Sequence, residues 1–320
     1  MKKLISVIAP MYNEENIVFA YIEETLKVLK TIADRYDYEI ILVNDGSQDH
    51  TLQKMIEAQE LYPEHLGIVN LTRNFGLEGA INAGLKSTTG DAVIVMDADL
   101  QDPPALMLEM IKKWEDGADI VSASRSSRVH DSFFKRFTAK LYYQFLSSLS
   151  GKLKLQPNAA NYRLLSRKAL EVLLSFSEVN TYFRVNVPFL GMKTDGVQYS
   201  RDERLAGKTK YGFASLFRCA LDGITSISIE PLNKMFSVVV FTSVLFLFFL
   251  IFSFFLVNQW KLFFLYLAGV SFFFNILFFL LAILAVYIGQ IMIEVRGRPT
   301  SLIYDYRPAK KNIYEESAVK

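Results

Sequence analysis

Ala92-Val93-Ile94-Val95-Met96-Asp97-Ala98-Asp99 decides the fold of this chain, and Leu100-Gln101-Asp102-Pro103-Pro104 follows it directly. Five consecutive apolar residues rich in β-branched side chains read as a strand buried on both faces, the kind found inside a parallel sheet. The strand ends by delivering two carboxylates to a turn, one residue apart. Oxygen ligands placed this way suit a hard divalent cation with positions left for phosphate oxygens. Taken alone, Asp at a strand end fits a simple turn cap equally well.

Outward from this run, further β-rich stretches stand at Leu4–Ala9, Glu39–Asn44, Gly67–Leu71 and Asp119–Ala123, with helix-length patterns near Glu15–Arg35, Thr51–Leu61, Glu78–Ser87 and Pro104–Asp116. This βαβα rhythm calls for an α/β domain, a mainly parallel, Rossmann-like sheet covered on both faces. Ligands of such sheets bind at the carboxyl ends of the strands. There the chain places Tyr12-Asn13-Glu14, Asp45-Gly46-Ser47 and Asp97-Ala98-Asp99, three polar turns expected to share one crevice.

A different texture follows. The chain is 51% apolar with 26 Phe, and from Met235 to Ile293 its only charged residue is Lys261. Met235–Val257 and Leu262–Ile291 are each long enough to cross about 30 Å of hydrocarbon. Asn258-Gln259-Trp260-Lys261 between them is expected to form a tight hairpin, which returns both ends to one side. Arg296, Arg298, Arg307, Lys310 and Lys311 assign that side to the cytoplasm, with both termini expected inside. Two stripes, Phe134, Phe137, Leu141 and Phe145 within 133–150, and Phe213, Leu216, Phe217, Ala220, Leu221 and Ile224 within 212–232, fit helices lying on the membrane surface. Each fits a core-facing helix as well, and their place beside the spans favours surface contact. The expected division is a cytosolic catalytic domain over 1–211, a juxtamembrane helix over 212–232, two spans over 233–293 and a cytosolic basic tail over 294–320, whose last ten residues read as solvated and loosely ordered. A Phe-rich hairpin also offers a surface for a homo-oligomer, dimer or tetramer.

Several function classes are excluded. The apolar run after Lys3 is only six residues long before Pro10, so it reads as a strand rather than a signal peptide. Cys219 is the sole cysteine and, with three histidines, makes no zinc spacing. A net charge of +2 without a basic, aromatic-interleaved run gives no case for nucleic acid. Gly-x-Gly-x-x-Gly is absent, and Gly207-Lys208-Thr209 lacks the glycine five residues earlier that a phosphate loop needs, since Asp202 stands there.

Four motifs stand in a familiar order: Val7-Ile8-Ala9-Pro10-Met11-Tyr12-Asn13-Glu14-Glu15, Val43-Asn44-Asp45-Gly46-Ser47, Asp97-Ala98-Asp99-Leu100-Gln101-Asp102-Pro103, and Arg201, Arg204 and Gly207-Lys208-Thr209-Lys210-Tyr211. Together with the apolar hairpin they resemble family 2 glycosyltransferases of the GT-A fold. More narrowly, they are similar to the polyprenyl-phosphate hexosyltransferases, which include dolichyl-phosphate mannose synthase and the bactoprenol glucosyltransferases. The resemblance runs from residue 4 to about 300. It implies that Pro10, Tyr12 and Glu14 line a base and ribose pocket, that Val43 and Asp45 close over the nucleoside, and that Asp97, Ala98, Asp99 and Arg125 contact the nucleotide sugar. It places Mg2+ or Mn2+ on Asp97, Asp99 and Gln101, and gives Arg204 and Lys210 to the donor diphosphate and acceptor phosphate. Glu14 also fits a helix first-turn cap, and Asp45 a turn former.

One position departs from the pattern. Where many relatives carry Asp before the aromatic-Arg-Leu run, this chain has Asn161-Tyr162-Arg163-Leu164. Asn161 cannot accept a proton, so with Arg163 it reads as a residue that positions the acceptor. A lipid phosphate needs no base, because its second pKa is near ~6 and it is largely dianionic at neutral pH.

The resemblance therefore implies inverting transfer of a hexose, glucose or N-acetylglucosamine, from a UDP-sugar to undecaprenyl or another polyprenyl phosphate, yielding a lipid-linked sugar for cell-wall or surface polymers. Rivals are a processive polysaccharide synthase, for which the usual Gln-x-x-Arg-Trp is missing around Trp114 and Trp260, a diacylglycerol glycosyltransferase, whose hydroxyl acceptor needs a base, and a catalytically silent membrane scaffold.

Overall fold

The computed structural model describes residues 2–125, 159–176, 183–199 and 259–310. These fall into two compact units, one formed by 2–125, 159–199 and 299–310, the other by 259–298. The expected surface helices over 133–150 and 212–232 and the first span over 235–257 lie outside the described residues.

In the first unit the chain forms β1 (Lys3–Met11), α1 (Val18–Lys30), β2 (Tyr36–Asn44), α2 (Thr51–Leu61), β3 (Leu66–Leu71), α3 (Gly76–Lys86), β4 (Ala92–Val95), α4 (Leu106–Glu115) and β5 (Ile120–Arg125). Then come β6 (Ala159–Ser166), α5 (Arg167–Leu174), α6 (Phe183–Phe189) and β7 (Thr194–Tyr199). Strand order is β7-β5-β6-β4-β1-β2-β3-β8, where β8 is Ile303–Arg307. The central β3-β2-β1-β4 block is parallel. β6 enters antiparallel between β4 and β5, and β8 pairs antiparallel with β3, so the sheet is mixed at its flanks.

Alternation within the strands builds two apolar layers. Ile5, Val7, Ile40, Leu42 and Ile94 pack towards Tyr21 and Leu26 of α1, Met55 of α2 and Met110 of α4. Ile8, Ile41, Val43, Val93 and Val95 pack towards Ala80 and Ile81 of α3 and Leu170 of α5. Each such side chain contributes about 1.5–3 kcal/mol on burial, which is why near-continuous apolar runs suffice to specify these strands.

One expectation is corrected. Gln259, Trp260 and Lys261 are not a hairpin turn but the first turn of α7 (Gln259–Arg296), a 38-residue helix. None of the three is Gly or Pro, so nothing in them stops a helix. Within α7, Phe272–Arg296 is long and apolar enough to cross a membrane, and Phe272, Phe274, Phe279, Ile288 and Ile291 lie exposed along it. Residues 299–310 belong to the sheet unit, and the last ten residues, expected to form a loose tail, lie outside the described residues. The Leu302 carbonyl accepts from the Thr72 N–H at 3.0 Å, the Arg307 carbonyl accepts from Gln59 Nε2 at 3.1 Å, and the Lys310 N–H donates to the Pro63 carbonyl at 2.8 Å. Gly79 of α3 lets the Thr300 carbonyl come so near that an added Cβ would sit 2.9 Å from it.

Candidate active site

β2 and β3 extend the sheet on one side of β1 and β4 on the other, so the chain reverses direction between β1 and β4, the place where sheets of this kind bind ligands. The Met96 N–H still reaches the Ile8 carbonyl at 3.0 Å. Pro10, two residues later, faces the same neighbour after β4 has left the sheet, so its missing N–H breaks no ladder bond. The ends of these two strands are therefore where a ligand of this sheet is expected.

On the β1 side, Asn13 turns the chain with φ +53°. Its N–H donates to Ser47 Oγ at 3.0 Å, and its Oδ1 accepts from the Gln48 N–H at 2.8 Å. The Glu14 N–H donates to Thr51 Oγ1 at 2.8 Å, leaving Tyr12 and Glu14 half-buried at the rim. The β1 and β2 turns are thus laced into one wall. Pro10 and Val43 are register partners in that wall, and Val43 is fully buried in the core.

Asp45 is almost completely buried, and its carboxylate accepts from the Phe75 N–H at 2.7 Å and the Gly76 N–H at 3.0 Å, at the start of α3. Burial pushes its pKa up to about 6, against the downward pull of those two bonds and of Arg73. Gly46 beside it has φ +64°, and a Cβ there would meet the Arg73 carbonyl carbon at 2.4 Å and the Asn74 nitrogen at 2.5 Å. The turn after β2 therefore locks onto the turn after β3.

On the β4 side, Ala98 and Leu100 belong to the core while Asp97 and Asp99 between and before them are half-buried. β4 ends at Val95, and the turn that follows carries both carboxylates. Asp99 Oδ1 accepts from the Gln101 N–H at 3.2 Å, and Leu100 between them has φ +52°. Gln101 is buried, and its Oε1 has no hydrogen-bond partner among the described residues. A buried amide oxygen without a donor is costly unless a ligand completes it. Two carboxylates and that oxygen make an all-oxygen donor set fitting Mg2+ or Mn2+. Among the described residues no group of three His, Cys, Asp or Glu could hold a metal ion.

β6 supplies the floor. Its register with β4 pairs Val95 with Arg163, which carries Asn161 to the level of Asp97. Asn161 and Arg163 are both 2% exposed. Arg163 Nη1 donates to the Phe183 carbonyl at 3.3 Å, and the guanidinium lies 5.8 Å from the Phe183 ring. Arg163 is thereby a buried brace between β6 and α6. Arg125 closes β5, in register with Tyr199 of β7. Arg204 and Lys210 lie outside the described residues.

The sequence reading missed Asp102, which is fully buried beneath the turn and accepts from the Tyr199 hydroxyl at 2.5 Å. A charged residue between Gln101 and Pro103 was a signal, but its partner stands 97 positions away.

Comparison with known proteins identifies this arrangement. The profile described as Glycosyl transferase family 2 matches residues 6–174, which include the described site residues above except Phe183 and Tyr199. The chain is 34% identical over 322 residues to the "Uncharacterized glycosyltransferase YkcC" of Bacillus subtilis (strain 168), covering 97% of each chain. It is 35% identical over 303 residues to the "Bactoprenol glucosyl transferase" of Shigella phage SfX, covering 93% of this chain and 98% of that one. Among solved structures, mannosyl-3-phosphoglycerate synthase from Rubrobacter xylanophilus superposes with a TM-score of 0.50 at 19% identity, over 69% of this chain and 71% of that one, a likeness of fold alone. On a profile spanning more than half its length and relatives matched almost end to end, the chain belongs to glycosyl transferase family 2.

Proposed function

We propose that this enzyme transfers a hexose, with inversion, from a UDP-sugar to a polyprenyl phosphate, glucose or N-acetylglucosamine being the favoured sugars. The observation that carries the reading is the oxygen-only trio Asp97, Asp99 and Gln101 at the reversal point of the sheet, in a chain matched over 93% of its length by a bactoprenol glucosyl transferase. A divalent cation held by this trio would offset the charge that develops on the departing nucleoside diphosphate. Pro10, Tyr12 and Glu14 border the side of the site where a nucleoside fits, and Asp45 keeps that wall rigid by holding the start of α3. Asn161, buried at the level of Asp97, orients without taking a proton. That favours an acceptor already ionised, a phosphate over the hydroxyl of diacylglycerol, and the lipid oxygen attacks the anomeric carbon as the bond to the diphosphate breaks.

Lipid delivery rests on the apolar segments. α7, with its exposed Phe and Ile side chains, is read as a membrane span, and the apolar stretch 235–257, outside the described residues, as its partner. What supports a common side for both ends is the return of residues 299–310 to the sheet, only a few residues after Arg296. Arg296 and Arg298 at that junction favour the cytoplasm. Such anchoring converts an encounter between a soluble donor and a membrane lipid into a positioned reaction.

The test is Asp99→Asn in the full chain. Sugar transfer should fall by at least about a hundredfold with the melting temperature within a few degrees of wild type, and chelation by EDTA should reproduce the loss. Retained transfer in the variant would contradict the assignment.

A further inference from the structure

Behind the carboxylate turn lies a polar cluster to which none of the foregoing assigns a role. Asp102 is 0% exposed, a position that a carboxylate tolerates only with firm hydrogen bonding. The Tyr199 hydroxyl donates to its Oδ1 at 2.5 Å, and the Tyr162 hydroxyl reaches the carbonyls of Pro103 and Pro104 at 3.3 and 3.4 Å. The tyrosines come from β7 and β6, and both rings belong to the apolar layer beneath the turn. The segment is therefore held at both ends, by Met96 on Ile8 upstream and by the tyrosines on residues 102–104 downstream. Between these anchors Leu100 occupies a left-handed conformation at φ +52°. A branched residue stays there only when its surroundings over-determine it.

We propose that Tyr199 is a positioning residue, whose hydrogen bond to Asp102 holds Leu100 left-handed and thereby fixes Gln101 and Asp99 relative to one another for cation binding. Bonds behind the ligands of a metal typically govern its affinity by 10–100-fold. The inference rests on the reading of Asp97, Asp99 and Gln101 as the cation site.

Tyr199→Phe removes one oxygen and keeps the ring. The experiment follows Mn2+ binding to the full chain in detergent with UDP present, by the electron paramagnetic resonance signal of free Mn2+, beside a melting curve. Tyr199→Phe should weaken Mn2+ binding about tenfold or more, with a drop of only a few degrees in melting temperature. Asp102→Asn keeps an oxygen acceptor for Tyr199 and should stay within about threefold of wild type. Tyr199→Phe binding Mn2+ as wild type does, or Asp102→Asn losing as much as Tyr199→Phe, would overturn the proposal while leaving the cation site standing. Absence of Mn2+ binding in the wild type would overturn both. Should Tyr199→Phe fail to fold, the Asp102→Asn comparison decides alone, retention supporting the proposal and loss refuting it.

Discussion

Replacing Gly46 by alanine tests how the donor side of the site is built. Two costs combine at this position. A non-glycine residue in the left-handed region costs about 1–2 kcal/mol, and Gly46 has φ +64°. The added Cβ would also sit 2.4 Å from the Arg73 carbonyl carbon and 2.5 Å from the Asn74 nitrogen. These are backbone atoms that no side-chain rotation can clear, and overpacking of this kind costs about 1–3 kcal/mol. The sum, about 2–5 kcal/mol, converts to a fall of roughly 4–20 °C in melting temperature for a unit of this size. Function should suffer beyond stability, because moving residues 73–74 drags the Phe75 and Gly76 N–H groups away from Asp45. Gly191→Ala is the control, since φ is +62° there and an added Cβ meets nothing within 4 Å, leaving the conformational cost alone. Thermal unfolding of both variants, with the KM for the sugar nucleotide measured below the transition, gives the comparison. Equal destabilisation by the two substitutions, or a Gly46→Ala enzyme with wild-type KM, would refute the reasoning.

Asp45 predicts a pH effect of definite sign. Its folded-state pKa of about 6 lies above the ordinary 3.8, so between these values the folded chain binds the extra proton and stability falls as pH rises. Relative to Asp45→Asn, the wild type should lose roughly 2 kcal/mol between pH 4 and pH 7.5; denaturant unfolding at both pH values checks this, and a constant gap between the proteins would contradict it. Truncation after Arg298 removes β8 and leaves β3 as a bare edge, so the shortened protein should melt lower and aggregate on warming, as light scattering would show. An unchanged melting curve would mean that β8 contributes nothing to the sheet unit.

The central sheet was legible because burial on both faces leaves an unmistakable trace. Ala92–Met96 and the run through Ile40 and Val43 contain no polar residue to mislead, and each ends at the turn that carries chemistry. β6 was hidden by Arg163, a residue type that normally signals solvent, and its bond to the Phe183 carbonyl and its contact with the Phe183 ring help a strand to bury it. β8 was hidden differently. Ile303-Tyr304-Asp305-Tyr306-Arg307 is an exposed edge strand after a basic junction, and its pairing with β3 is a contact across more than two hundred residues. The start of α7 was misplaced because polar residues between two apolar runs look like a turn, although nothing in Gln259-Trp260-Lys261 breaks a helix. Of the site, the two carboxylates and Gln101 were readable from local order, whereas the anchoring of Asp102 and Asp45 arises from partners distant in sequence.

The most direct test of the account is the reaction itself. Membranes containing the full chain would be incubated with undecaprenyl phosphate, Mg2+ and labelled UDP-glucose, UDP-N-acetylglucosamine or GDP-mannose, and the organic phase assayed for label. Labelled lipid is expected from a UDP-sugar with the wild type, none with Asp99→Asn, and none when the lipid phosphate is replaced by diacylglycerol. No labelled lipid from any donor, or transfer to diacylglycerol in its place, would contradict it.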